Sequence, residues 1–339
     1  MPDAGSPPVA ARKFPFPLTW LVAWAVVSLF LVLAFRGISW ESVVEPLRAA
    51  HLPWVVAAVV ANGLILVVGT VQWRLFLPPD RPVGFGRMFW VQAITATVAN
   101  GGPLLTGPAL GLHLLATRGG VGHATAAFVT AVDQLAEGVS KLCLLAALAW
   151  FVPLPMESRA PVFTLLVGLP LLAVGMVAAG ARAPSLQRWA EKMAPGRFRS
   201  AMDFLASVAR HLKGMNSLRV MGGGSILAVG QKVAEVVAAA CVAHALGVPV
   251  TPWVLLLVVA SINFSTMLSV TPGNLGIYEG AAFLAYRAGG VAPDTALAMA
   301  VLQHLAYLIP LAGTGWLLML VGRPPEKVDP PLDGAPPEA

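Results

Sequence analysis

The stretch Pro103-Leu-Leu-Thr-Gly-Pro-Ala-Leu-Gly-Leu-His-Leu-Leu-Ala-Thr-Arg-Gly-Gly120 returns later in the chain as Pro272-Gly-Asn-Leu-Gly-Ile-Tyr-Glu-Gly-Ala-Ala-Phe-Leu-Ala-Tyr-Arg-Ala-Gly-Gly290. An apolar segment follows each copy, carrying Asp133, Gln134 and Glu137 after the first and Gln303, His304 and Tyr307 after the second. With the Gly-Gly pairs superposed, Thr125 meets Thr295, Ala126 meets Ala296, Leu135 meets Leu305 and Ala136 meets Ala306. In an apolar chain, such an echo predicts a transporter-like architecture built from internal repeats.

The chain is apolar enough for that reading. Hydrophobic residues make up 57% of its 339 positions and charged ones only 11%, a balance that excludes a soluble domain of this length. Stretches near the span of about 20 residues needed to cross a bilayer cover Leu18 to Phe35, Pro53 to Leu77, Thr125 to Trp150, Pro161 to Ala181, Ile226 to Leu246 and Ala296 to Val321. Two more, Met88 to Thr117 and Trp253 to Ala288, are apolar but interrupted by Gly and Pro. The first stretch follows Arg12 and Lys13 without a small-x-small site at its end, so a retained helix is expected and not a cleaved leader. Residues 1–17 and 322–339, rich in Pro, Gly and charge, read as disordered cytoplasmic tails. Cys143 and Cys241 both lie within apolar stretches and define no disulfide framework.

Charge orients the spans, because Lys and Arg in short loops stay on the cytoplasmic side. The most basic segment, 182–219, holds Arg182, Arg188, Lys192, Arg197, Arg199, Arg210, Lys213 and Arg219 against Glu191 and Asp203, and is placed inside. Within it, Met202, Leu205, Val208 and Leu212 recur at helical spacing, as in a helix lying on anionic lipid. Arg12 and Lys13 place the N-terminus inside too, and Arg74, Arg81 and Arg87 then fall inside as well. For Pro161 to Ala181 to arrive at the basic loop, Thr125 to Trp150 must run outward. Met88 to Thr117 therefore begins and ends inside, and by the same reasoning Trp253 to Ala288 begins and ends outside. The expectation is an all-α polytopic protein with six full spans and two opposed re-entrant helical hairpins, an inverted repeat over about 53–150 and 220–321 within a transmembrane domain of 18–321.

The breaks at Asn100-Gly-Gly-Pro103 and Thr271-Pro-Gly-Asn274 supply the hairpin tips, since irregular backbone at membrane depth survives only where protein or a watery cavity satisfies it. Pro103 and Pro272 suit a first helical turn, so each returning arm is expected to begin there and to present free backbone donors at its positive dipole end. Two such ends near the midplane are suited to an anion such as a phosphate, with Gly273 and Gly276 permitting close approach and Asn100, Asn274 and Thr106 adding side-chain groups. Packing of helices through the same small residues is the competing reading.

Ionisable residues inside the spans are the second signal. Asp133, Glu137 and Lys141 recur every four residues on one helix face, and Lys232 and Glu235 form a comparable cluster. A charge at the centre of a spanning helix costs on the order of 2.5 to 3.5 kcal/mol on insertion scales, so these groups are expected to face an interior cavity and one another. Glu279, well inside the second returning arm, and His304 complete the candidate substrate-binding set. No enzyme signature, metal-ligand spacing, cofactor motif or nucleic-acid feature is present: His-Glu-x-x-His, Gly-x-Ser-x-Gly and a P-loop are all missing.

Trp73-Arg-Leu75, Gly107 to Leu115, Asp133-Gln-Leu-Ala-Glu137 and above all Pro272-Gly-Asn-Leu-Gly-Ile-Tyr-Glu279 resemble the transmembrane domain of lysylphosphatidylglycerol synthases and related flippase-like membrane proteins, over roughly Leu18 to Val321. The chain departs from that family's pattern at Pro108, Gly111 and Gln134, where the family often carries charge. The resemblance implies a multi-pass inner-membrane protein handling an anionic, aminoacylated, glycosylated or isoprenoid-linked lipid headgroup. It implies lipid handling and not synthesis, as no aminoacyl-transferring domain is recognisable. The expected function is translocation of an amphipathic lipid between leaflets, with membrane lipids as partners. A carrier for a small organic ion, or a non-transporting scaffold or lipid-enzyme subunit, are the alternatives.

Overall fold

A computed structural model describes residues 40–79, 82–101, 106–151, 217–268 and 271–321. The expected spans at Leu18 to Phe35 and Pro161 to Ala181, the interfacial helix near 200–213 and both tails lie outside the described residues. Within them the protein is all-helical: α1 (Trp40–Arg48), α2 (Leu52–Phe76), α3 (Phe85–Gly101), α4 (Thr106–Thr117), α5 (His123–Phe151), α6 (Ser217–Ala245), α7 (Pro252–Ser265), α8 (Ile277–Ala288) and α9 (Pro293–Val321). Short 3-10 turns at Thr266–Leu268 and Pro272–Asn274 lie between α7 and α8.

Local sequence explains the boundaries. Proline stands in the first turn of α2, α7 and α9, where its missing donor is no loss. Leaving α4, the Gly119 N–H donates to Leu114 O at 3.0 Å and Gly120 turns left-handed at φ 73. Leaving α8, the Val291 N–H donates to Tyr286 O at 3.1 Å and Gly290 sits at φ 84. The Gly-Gly pairs that aligned the two halves thus do the same work in both, ending a helix through a residue that tolerates positive φ.

Among the described residues, three helical segments are long and apolar enough to cross a membrane: Leu52–Phe76, Val220–Ala245 and Pro293–Val321. Helix α5 has the length, at 29 residues, but carries Asp133, Glu137 and Lys141. On α2, Leu52, Val56, Val60, Leu64, Val67 and Val71 form an exposed stripe, while Asn62, Gln72 and Trp73 are buried. For a helix solvated by lipid that is the favourable arrangement: apolar groups outward, polar groups turned inward.

Both interrupted stretches fold back on themselves. A Cβ added at Gly111 would lie 2.8 Å from the Thr95 methyl, and one added at Gly107 would collide with Ala99. The paired positions run in opposite directions, so α3 and α4 are antiparallel and in intimate contact. At the other break, a Cβ at Gly289 would come within 2.6 Å of Val254, bringing the end of α8 beside the start of α7. The two breaks also meet, since a Cβ on Gly273 would lie 3.1 Å from the carbonyl oxygen of Asn100. A chain crossing once through a kink has neither contact.

Helix pairings come in matched twos. The most extensive joins α2 to α6; α3 packs on α9 as α7 packs on α5; α4 lies against α5 as α8 lies against α9; α2 reaches α9 as α6 reaches α5. Close approach requires small residues here: the Gly315 site on α9 faces Thr97 and Ala93 of α3, and the Thr97 hydroxyl donates to the Ala312 carbonyl at 2.8 Å.

Candidate functional site

Where the two breaks meet, the helices enclose a cavity of about 490 Å³ lined from α2, α3, α4, α5, α6, α7, α8 and α9. Polar side chains converge on it from opposite walls. Asp133, Glu137 and Lys141 come from α5, and Lys232 and Glu235 from α6. The four-residue spacing on α5 and three-residue spacing on α6 put each set on one helix face, as expected of charges kept from lipid.

Each lysine has its own acid. Lys141 Nζ lies 2.7 Å from Glu137 Oε1, with Glu137 the more open partner. Lys232 Nζ lies 2.6 Å from Glu235 Oε1 and donates to Asn263 Oδ1 at 2.7 Å, while Asn263 Nδ2 donates to Glu235 Oε2 at 2.6 Å. These three contacts close a ring across α6 and α7. In a medium where an uncompensated ion is costly, such completion keeps both charges inside the bundle. A second chain leads from α6 through α2 to α5: Gln231 Nε2 donates to Gln72 Oε1 at 2.8 Å, and Gln72 Nε2 donates to Asp133 Oδ1 at 2.9 Å.

The second break differs from its expected form. The returning helix starts at Ile277, not at Pro272, because Gly273 (φ 67), Asn274 (φ 55) and Gly276 (φ 82) are all left-handed and cannot propagate a helix. Glu279 therefore sits in the first turn of α8, where its Oε2 accepts the Gly276 N–H at 2.7 Å. Its other oxygen, Oε1, lies 2.8 Å from His304 Nδ1. The negative group at this helix start comes from the protein itself, the capping arrangement a positive dipole end favours.

Of the expected site residues, Asn100, Asp133, Glu137, Lys141, Lys232, Glu235 and Asn274 line the cavity. Glu279 and His304 stand outside the lining and pair with each other, and Tyr278, which does line it, stacks on the His304 ring with centroids 4.1 Å apart. Gly273 and Gly276 shape the turn beside it. Thr106 opens α4 without reaching the lining, Pro272 belongs to the 3-10 turn, and Pro103 is outside the described residues. Sequence reasoning missed Asn62, Gln92 and Asn263, uncharged amides whose presence in apolar helices was itself the available signal, and the aromatic walls Trp73, Tyr278 and Tyr307. Positions equated by the Gly-Gly superposition face the same space: Pro108 and Tyr278, Asp133 and Gln303, Glu137 and Tyr307 all line it.

A bundle of apolar helices wrapped around a polar, many-walled cavity defines a multi-pass integral membrane protein with an internal polar cavity. The chain belongs to the family described as the lysylphosphatidylglycerol synthase TM region, which it matches over residues 20–315, and is thus a membrane protein acting on lipids. No curated protein matches it.

Proposed function

We propose that the protein moves an amphipathic lipid between the leaflets of the inner membrane, the headgroup passing through the cavity while the tails remain in lipid. The observation that carries this reading is a polar cavity of about 490 Å³ at the meeting point of two chain breaks, inside helices whose outer faces are apolar. A scaffold gains nothing from keeping such a space unfilled, since interiors otherwise pack to near crystal density. No residue is assigned a catalytic role. In this reading α3 with α4 and α7 with α8 enter the bilayer from opposite faces, both termini are cytoplasmic, and the matched helix pairings belong to an inverted repeat.

Two measurements test it. The protein is reconstituted into liposomes carrying a short-chain fluorescent phospholipid, and chemical quenching from outside reports lipid that changes leaflet; no acceleration over empty liposomes would sink the proposal. For orientation, His123→Cys and Ala292→Cys, both at exposed positions, are placed singly on a background lacking Cys143 and Cys241 and treated with an impermeant thiol reagent in intact cells. Labelling of Ala292→Cys alone is expected, and labelling of both from one side would refute opposed hairpins.

A further inference from the structure

We propose that the cavity selects a neutral, hydroxyl-rich headgroup, a glycosyl or glycerol-like polyol, over a phosphate monoester or an ammonium group. This deepens the translocation reading and rests on it for the idea that the ligand is a lipid. The lining carries three carboxylates, Asp133, Glu137 and Glu235, against two ammonium groups, Lys141 and Lys232. Both ammonium groups are engaged, one by Glu137 and the other by Glu235 with Asn263. A phosphate entering this space would find no unpaired cation to balance it in a poorly screened setting. At the α8 end, the Gly276 donor that an anion would use is already taken by Glu279.

The lining also offers hydrogen-bonding groups that the protein does not use. Asn62 is only 3% exposed and its Nδ2 has no partner; Gln92 Oε1 and Asn274 Oδ1 are likewise buried and unpartnered, and all three residues face the cavity. Two acceptors and one donor beside the cavity are therefore without a protein partner. An ammonium only donates and a phosphate dianion only accepts, whereas a hydroxyl does both. Tyr278 and Tyr307 add ring faces against which the C–H face of a sugar packs. Leaving such groups unbonded is costly, and vicinal hydroxyls satisfy several together.

The full-length protein, in a detergent without a sugar headgroup, is titrated with dioctanoyl probes that share their tails and differ in headgroup, following Trp fluorescence because Trp73 lines the cavity. Glucosyl diacylglycerol, whose headgroup is neutral and hydroxyl-rich, is expected to bind more tightly than phosphatidate or phosphatidylethanolamine, and phosphatidylglycerol, whose glycerol hydroxyls come with a charged phosphodiester, is expected to fall between them. Permethylating the glucoside removes its donors and should weaken binding about 3- to 10-fold, the value of one neutral hydrogen bond or two. Asn62→Leu should weaken the glucoside by a similar factor and leave phosphatidate unchanged. Phosphatidate or phosphatidylethanolamine binding as tightly as the glucoside, indifference to permethylation, or no binding by any probe would each overturn the proposal. Lipid translocation without glucoside preference would defeat this inference alone, whereas glucoside binding by a protein that moves no lipid would defeat the translocation reading alone.

Discussion

The two chain breaks occupy corresponding places, yet they are held by different chemistry. Around the first, α4 presses against α3 through Gly107 on Ala99 and Gly111 on Thr95, with no room for a larger side chain. Around the second, three left-handed residues turn the chain and Glu279 holds the turn to the helix start and to His304. One break depends on shape, the other on polar bonds. A repeated element can therefore keep its course while the forces that set it are exchanged, so corresponding positions need not be equally sensitive to substitution.

Substitutions should expose the difference in a definite order. Gly107→Leu should cost most, about 3 kcal/mol, because the new side chain must displace the α3 backbone region around Ala99. Thermal unfolding in detergent checks it, and a melting temperature close to that of the unaltered protein would show the first break to be loosely packed. Next comes Glu279→Ala, at roughly 2 kcal/mol, since Gly276 N–H and His304 Nδ1 both lose their partner; Glu279→Gln should be milder. If Glu279→Ala melts normally but alters lipid binding, the carboxylate acts on ligand and not on the turn. Gly273→Ala should cost about 1 to 2 kcal/mol, the penalty for a Cβ in left-handed backbone, at a site where that Cβ also meets the Asn100 carbonyl. Gly101→Ala should be nearly silent, within about 0.5 kcal/mol, as nothing lies within 4 Å of the added methyl. A large effect there would mean that the first break, too, depends on backbone freedom.

Much of this arrangement was legible in the sequence, and the remainder was hidden for physical reasons. Gly and Pro marked both breaks because they are the residues that stop a membrane helix, and the cost of burying charge sent Asp133, Glu137, Lys141, Lys232 and Glu235 inward together. The all-helical fold follows from the same solvent. The position of Glu279 was misread because Pro272 looks like a first helical residue, whereas the helix waits until Ile277; the delay comes from three left-handed residues among the four from Gly273 to Gly276, one of them Asn274, whose φ a sequence does not announce. Asn62, Gln92 and Asn263 escaped for another reason. In helices apolar on every side there is no polar stripe to point inward, so a lone amide carries little directional information until the neighbouring helix is in place.

The convergence of corresponding positions on one cavity has an evolutionary reading. In the proposed inverted repeat, the helix pairings that tie the halves together correspond to those two identical subunits would make across a twofold axis. In such a pair every substitution is made twice, and an Asp and a Glu facing the axis would confront their own images in a weakly polarisable interior. Covalent linkage of the halves lifts that restriction. Asp133 corresponds to Gln303 and Glu137 to Tyr307, so one cavity is lined by acids from one half and by an amide and a phenol at the corresponding positions of the other. In the proposed repeat the single chain thus has what a homodimer is denied: two different sides for an asymmetric guest.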